Sequence, residues 1–340
     1  MVCIAAFIIL AIVGVVVAFL SIFNRNLGKK YWKIFKKSFH CFGKRVRLQK
    51  CDTNFSEDVK TAVLKKVVIK KPKLVKPLSV ALEIASFLIV VVTIWSLVEG
   101  VKAGLALWTL GTCNVSQPSN CALGADSCSI DEDNLNWFTE WGEIFSNIPD
   151  RLKSWNAEEY INGNDTLEPA FIVGNLDAPA ALSIVDPGCS VCMQSYKNIK
   201  NSDFLDTHKL AAVLYPIKNT DGSYRFKNSE LITRYILSID QNYAEKIINR
   251  IFTEYNANHI NYQEVFNNQL DSDQANELLG NWLAEWGMDE ASIKEIKANL
   301  YSEDITTKLE HNSNIINQQI RPKGIPTMIY DGKKHLGLYK

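Results

Sequence analysis

Residues 3 to 23, CIAAFIILAIVGVVVAFLSIF, carry no charge over 21 positions. A helix rising about 1.5 Å per residue crosses a bilayer's roughly 30 Å hydrocarbon layer in that length. A second run of equal length, Leu78 to Val98, carries only Glu83, five residues in from its start, where it reaches the interface or pairs with a nearby Lys. The pair predicts two transmembrane helices, residues 1–23 and 78–98. Nothing basic precedes Cys3, and RNLGKKYWKIFKK follows Phe23, the reverse of a cleaved signal peptide, so the first segment is read as an uncleaved anchor.

The zero net charge of the 340 residues conceals a strong asymmetry. Residues 24–77 hold 17 Lys and Arg against 3 acids, a balance of +14, whereas residues 111–340 balance at −13. Short basic loops stay cytoplasmic, and 54 residues fall within the limit of about 60 for that rule. The expected topology is a two-pass cell-membrane protein with its N-terminus and large acidic region outside the cytoplasm. The basic loop could instead serve nucleic acid or act as a lipid sensor, but setting topology is the simpler reading. The bilayer is therefore the expected partner, and nucleic acid is not.

Cysteine placement agrees with this orientation. Cys41 and Cys51 fall in the cytoplasmic loop and are expected to be reduced, while Cys113, Cys121, Cys128, Cys189 and Cys192 fall on the oxidising side. If Cys189 and Cys192 act together, two of Cys113, Cys121 and Cys128 can close a small loop, leaving one free or bonded elsewhere, with three connectivities open. Residues 99–134 read as a turn-rich stalk. In 135–160 Phe138, Trp141, Phe145, Ile148, Leu152 and Trp155 form a helical apolar stripe, broken near Pro149, whose opposite face is not basic. Packing on its own domain is expected over lying on a membrane.

The chemistry is concentrated after Pro169. Phe171 to Val173 and Ala181 to Val185 read as strands, Asp186-Pro187-Gly188 as a turn, and Ser190 onward as a helix. Cys189 and Cys192 thus sit where a strand hands over to a helix. The unpaired N–H groups there favour a thiolate, so Cys189 is the expected nucleophile. Cys192, one turn on and less exposed, is placed to resolve a mixed disulfide by attacking Cys189. A CxxC is also half of a zinc ribbon, but His208, His259, His311 and His335 are isolated and no second CxxC follows, so no metal site is expected. A fixed structural bridge is the other plain reading; its short loop would constrain the unfolded chain little.

Near the C-terminus, Ile325 to Tyr330 reads as a strand opening on Pro326, Asp331-Gly332 as a hairpin turn, and His335 to Tyr339 as the return strand. A cis Ile325–Pro326 bond would leave flanking N–H and C=O groups free to hold an extended peptide. Ile325 and Pro326 are the candidate substrate-binding residues.

With these residues the chain resembles the DsbA-like thiol-disulfide oxidoreductases of the thioredoxin superfamily. The match runs over Gly174, Asp177-Ala178-Pro179, the strand 181–185, Asp186, Cys189-Ser190-Val191-Cys192 and Gly324-Ile325-Pro326-Thr327. It brackets residues 169–340 and leaves the spans, basic loop and stalk outside. The resemblance implies an α/β thioredoxin-like fold with a helical insertion, about residues 228–320, preceded by the two transmembrane helices. His208 to Ile217 reads as the next strand. In the insertion four groups follow helical spacing: Leu231, Tyr235, Ile236, Ile239; Ala244, Ile247, Ile248, Ile251; Leu278, Leu279, Trp282, Leu283, Trp286; and Ile293, Ile296, Leu300. Gly280 and Gly287 read as breaks, and Asp271 to Asp273 and Asp289-Glu290 as helix starts.

The implied activity is exchange of a redox-active Cys189–Cys192 disulfide, with no other cofactor, on extracytoplasmic cysteine-containing proteins. A membrane redox partner, quinone-linked in the family, would reoxidise it. Ser190-Val191 lacks the His that the family often places between the cysteines, which implies a less oxidising couple and keeps a reductase or isomerase role open. The sequence stops after the last strand, where the family carries a closing helix, so it is either truncated or trimmed there. The competing reading is a non-catalytic tethered module whose groove binds an extended peptide. An exposed Cys189 would favour chemistry, and a buried one binding.

Overall fold

The computed structural model describes residues 7–11, 25–47, 49, 61, 74–118, 127–130, 135–163 and 166–339. They belong to two compact units, Met1–Val101 and Lys102–Lys340.

In the first unit, Arg25–Val46 is a helix. The ring of Phe7 stacks on Phe42 at 4.5 Å, and the Tyr31 hydroxyl donates to Leu10 O. The first expected span lies mostly outside the described residues; its residues 7–11 are helical. Cys41 is disulfide-bonded, not reduced as expected. That expectation rested on compartment, whereas pairing depends on which sulfurs meet.

Val75–Leu110 is one apolar helix of 36 residues, long enough to cross a membrane and the one such helix among the described residues. It continues past Val98, so residues expected to begin a stalk are helical. In the second unit its end packs onto the domain. Ala106 and Leu110 cluster with Val115 and Ile144, and Lys102 Nζ lies 2.7 Å from Glu140 Oε2. The aromatic stripe does not pack as one face. Trp137–Ser146 and Ile148–Leu152 are separate helices, leaving Phe138 and Leu152 78% and 71% exposed while Ile144 and Trp155 are buried. Asn147 ends the first and starts the second, with Pro149 in the first turn of the second, so the apolar positions leave register with one another.

Two short strands of the second unit, β1 (Cys128–Ser129) and β5 (Gly324–Ile325), pair antiparallel with each other. The main sheet runs β2 (Phe171–Gly174), β4 (Lys209–Leu214), β3 (Ala180–Val185), β6 (Thr327–Tyr330), β7 (Lys333–Leu336). β3 and β4 are parallel, joined through the helix Ser190–Lys200, while β2, β6 and β7 pair antiparallel to their neighbours. This is the thioredoxin-like sheet that the resemblance implied. Central β3 is buried from Ala181 to Val185 and reads as a nearly apolar run, interrupted by Ser183. Asp331 and Gly332 close the β6–β7 hairpin with φ of 48° and 74°, the two-residue turn suited to strand twist. β7 starts two residues earlier than the sequence suggests, because this tight turn fixes its register.

At the end of β2, Gly174 has φ of 94°, and a Cβ there would overlap His208 O. Gly174→Ala is expected to lower stability by about 2 kcal/mol, read from the unfolding midpoint.

The insertion supplies Ser229–Leu237, Gln241–Thr253, Tyr262–Glu264 running into a π-helical turn Val265–Gln269, Ser272–Glu285, Glu290–Asn299 and Glu303–Ile315. Asp271 and Asp289 cap their helices as expected, Asp271 in a capping box with Gln274. Gly287, with φ of 91°, ends a helix, but Gly280 lies inside one. A Cβ at Gly280 would overlap only the flexible end of the Lys297 side chain, which can move aside, and Gly280 does not reverse the chain. Ile184, Cys189 and Cys192 share one hydrophobic cluster with Ile251, Phe266 and Leu279, so the insertion completes the core that carries the cysteines.

Candidate functional site

β3 ends at Val185, and Asp186-Pro187-Gly188 turns the chain into the helix Ser190–Lys200, with Cys189 as its N-cap. The Cys189 N–H donates to Asp186 O at 3.1 Å, and Cys189 O accepts from Met193 N at 3.1 Å. The first turn of the helix has no acid, and Lys197 and Lys200 occupy its last turn, so the dipole end facing Cys189 is not offset. At Gly188 a Cβ would overlap the Phe226 side chain, which leaves glycine the only residue that fits.

Asp186 is buried below this turn. Its Oδ1 accepts from Gly188 N at 2.7 Å and from the Ser229 hydroxyl, and its Oδ2 accepts from Ile217 N at 2.7 Å. Loss of solvation pushes its carboxyl up to about 6 despite those donors and the Arg225 charge. Cys192 is buried and is a free thiol. Burial pushes it well above the ordinary thiol value; a backbone hydrogen bond from Asp186 opposes this, and the Asp186 charge adds to it.

The second expected element is in place geometrically. The Ile325–Pro326 bond is cis, and Cys189 Sγ lies 4.0 Å from Ile325 O. Residues 136 positions apart in sequence therefore meet. Thr327 Oγ1 donates to Gly324 O at 2.6 Å within the same bend.

The cysteine pairing differs from the Cys189–Cys192 bridge that the sequence suggests. Cys189 is bonded to Cys128, with Cα atoms 6.4 Å apart. In the pairing of β1 with β5, Cys128 stands opposite Ile325. The segment is held further by Ile130 N donating to Lys323 O at 3.2 Å and by Arg225 Nη1 donating to Ser129 O. Cys189 is fully buried, not exposed as a free nucleophile would be, because this strand lies over it. Cys113 is also disulfide-bonded, and Cys121 lies outside the described residues.

No family model and no curated protein matches the chain. Solved structures similar to it include a thioredoxin-like oxidoreductase from Silicibacter pomeroyi DSS-3, at 13% identity over 55% of this chain and 91% of that one, with a TM-score of 0.38. Another is Wolbachia pipientis alpha-DsbA1, at 12% identity over 50% of this chain and 83% of that one, with a TM-score of 0.38. A third is oxidised BdbD from Bacillus subtilis, at 18% identity over 50% of this chain and 87% of that one, with a TM-score of 0.34.

Two residues of the insertion complete the site and carry no sequence signal. Gln263 Nε2 donates to Pro187 O at 2.8 Å and to Cys189 O at 3.0 Å, and Asn267 Nδ2 donates to Gly188 O at 2.8 Å. They hold the turn that aims Cys189, from 74 and 79 residues downstream of the carbonyls they bind. Gln263→Ala removes the donor from Pro187 O and leaves Cys189 O with Met193 N alone, and is expected to cost about 2 kcal/mol. The unfolding midpoint reads that loss, and hydrogen exchange at 188–190 should quicken if the turn loosens.

Proposed function

We propose that this chain is a membrane-anchored thiol-disulfide oxidoreductase acting on cysteine-containing proteins outside the cytoplasm. The observation that carries the reading is Cys189 at a helix N-terminus, its sulfur 4.0 Å from Ile325 O on a backbone edge that takes an extended segment. A substrate strand pairing with Gly324–Ile325 would bring its own cysteine onto Cys189. The oxidising direction starts from the state in which Cys189 is bonded to Cys192. A substrate thiolate attacks Cys189 Sγ, the Cys189–Cys192 bond breaks, Cys192 leaves as a thiolate and takes a proton, and a second substrate thiolate then displaces Cys189. The substrate gains a disulfide, and the enzyme is left with two thiols. The apolar helix Val75–Leu110 supports anchoring, with a quinone-linked membrane partner as the acceptor of those electrons.

The test uses the full chain in detergent, titrated against glutathione with alkylation of the thiols. Cys192→Ser is expected to accumulate a mixed disulfide on Cys189. A chain in which neither Cys189 nor Cys192 exchanges loses this reading, and the measured potential separates an oxidase from a reductase or isomerase.

A second reading is favoured by the burial of Cys189. It is a tethered peptide-binding module closed by a permanent bridge, and it expects no exchange in the same titration.

A further inference from the structure

The segment paired with Gly324–Ile325 belongs to the chain itself. β5 has β1 as its sheet partner, and Cys128 stands opposite Ile325 while bonded to Cys189. Backbone pairing and a disulfide to the N-cap cysteine are the two contacts a bound protein substrate would make during exchange. The flanking residues are built to hold the segment. Ile130 is buried in the main core cluster, and Ser129 O and Ile130 O both face the Arg225 guanidinium. A Cβ at Gly324 would lie 2.8 Å from Cys128 O, so the two strands are in close contact.

We propose that Cys128 is a third redox cysteine of this enzyme, an internal substrate that caps Cys189 and is displaced by Cys192. The proposal rests on the oxidoreductase reading above and adds a residue to it. Cys192 loses its proton and attacks Cys189 Sγ; the Cys128–Cys189 bond breaks, the Cys189–Cys192 bond forms, and Cys128 leaves as a thiolate that takes up a proton. One disulfide and one thiol are present before and after, so no outside oxidant is needed. The uncapped Cys189–Cys192 disulfide then oxidises two substrate thiols to a disulfide and is itself reduced to two thiols. Before that reduction, attack by the Cys128 thiolate on Cys189 restores the cap and returns Cys192 to its buried thiol. Burial of Cys192 disfavours its thiolate, which slows this exchange in both directions, since the same thiolate attacks in uncapping and leaves in recapping.

A tethered segment presents its thiol at about millimolar effective concentration, so at about 10 μM peptide it outcompetes an external strand by about 100-fold. The full chain is kept in detergent, acid-quenched, alkylated and digested without reduction, and its cross-linked peptides are identified by mass. A linkage from 128 to 189 is expected beside one from 189 to 192. Ile130→Asp, which unseats the cap while keeping every sulfur and the groove, is expected to shift the pool to the 189–192 linkage by at least about tenfold. Oxidation of a synthetic dithiol peptide at about 10 μM should then run about 100-fold faster in both Ile130→Asp and Cys128→Ser. Absence of the 128–189 linkage, or equal rates in an active wild type and both variants, overturns the cap and leaves the oxidoreductase reading intact. If none of the three proteins oxidises the peptide, both fall, and a 128–189 linkage that persists is a structural bridge.

Discussion

Cys189→Ser is expected to reduce disulfide exchange by at least about a thousandfold, and to turn Cys128 from a protected half-cystine into a fully alkylatable thiol. Both effects come from one atom. A serine hydroxyl has neither the nucleophilicity of a thiolate nor the ability to form a disulfide, so the helix N-terminus has no anion to stabilise. The same substitution removes the bond to Cys128 and leaves β1 attached by its short pairing with β5, the Arg225 contacts and the seat of Ile130. Exchange assayed with a fluorescent dithiol peptide and mass-resolved alkylation of Cys128 check the two parts separately. A variant with full exchange activity would mean that the nucleophile lies elsewhere. If Cys128 stayed blocked, its partner would be a different cysteine.

The second large effect concerns pH. Asp186 titrates near 3.8 when unfolded and near 6 when buried in the fold, so the native state holds its proton where the unfolded chain has lost it. Between about pH 4 and pH 6 folding therefore takes up a proton. Stability from this group is highest in acid, falls as pH rises through that window, and levels off above it. The displacement is worth roughly 3 kcal/mol. The amide introduced by Asp186→Asn carries no charge at any pH, but it has one acceptor oxygen where the carboxylate accepts from Gly188, Ser229 and Ile217 on two. Asp186→Asn should thus be less stable than wild type at pH 4, by about 2 kcal/mol. The difference should move in the variant's favour by roughly 3 kcal/mol by pH 8. Unfolding free energies of both proteins across that range provide the check. A gap that does not change with pH would show that Asp186 is ionised in the fold throughout. The variant should also bring the Cys192 thiol down, since the Asp186 charge raises it, and the pH dependence of Cys192 alkylation reads this independently.

Much of the site is legible in the sequence because local rules dictate it. A proline-glycine turn before a run with helical spacing puts Cys189 at an N-terminus whatever surrounds it. The alternation and turn residues around Asp331-Gly332 announce a hairpin, and aspartates mark two helix starts in the insertion. Where local rules compete, the sequence reading fails. Gly280 looks like a break but lies inside a helix, because its neighbours Leu279, Trp282 and Leu283 are buried and hold the helix through that position. The stripe of Phe138 and Leu152 looks like one buried face, but a second helix begins at Ile148, with Pro149 in its first turn, and the two positions stay exposed.

By itself, the sequence determined where the helix-capping sulfur of Cys189 and the bend at Pro326 would form, since capping, turns and apolar periodicity act over a few residues. Only the tertiary structure decided which sulfur Cys189 holds and what lies in the bend. Cys128 is 61 residues away, and Gln263 and Asn267 approach from the insertion. A disulfide forms between atoms that are brought within reach, and that distance depends on how the whole chain packs.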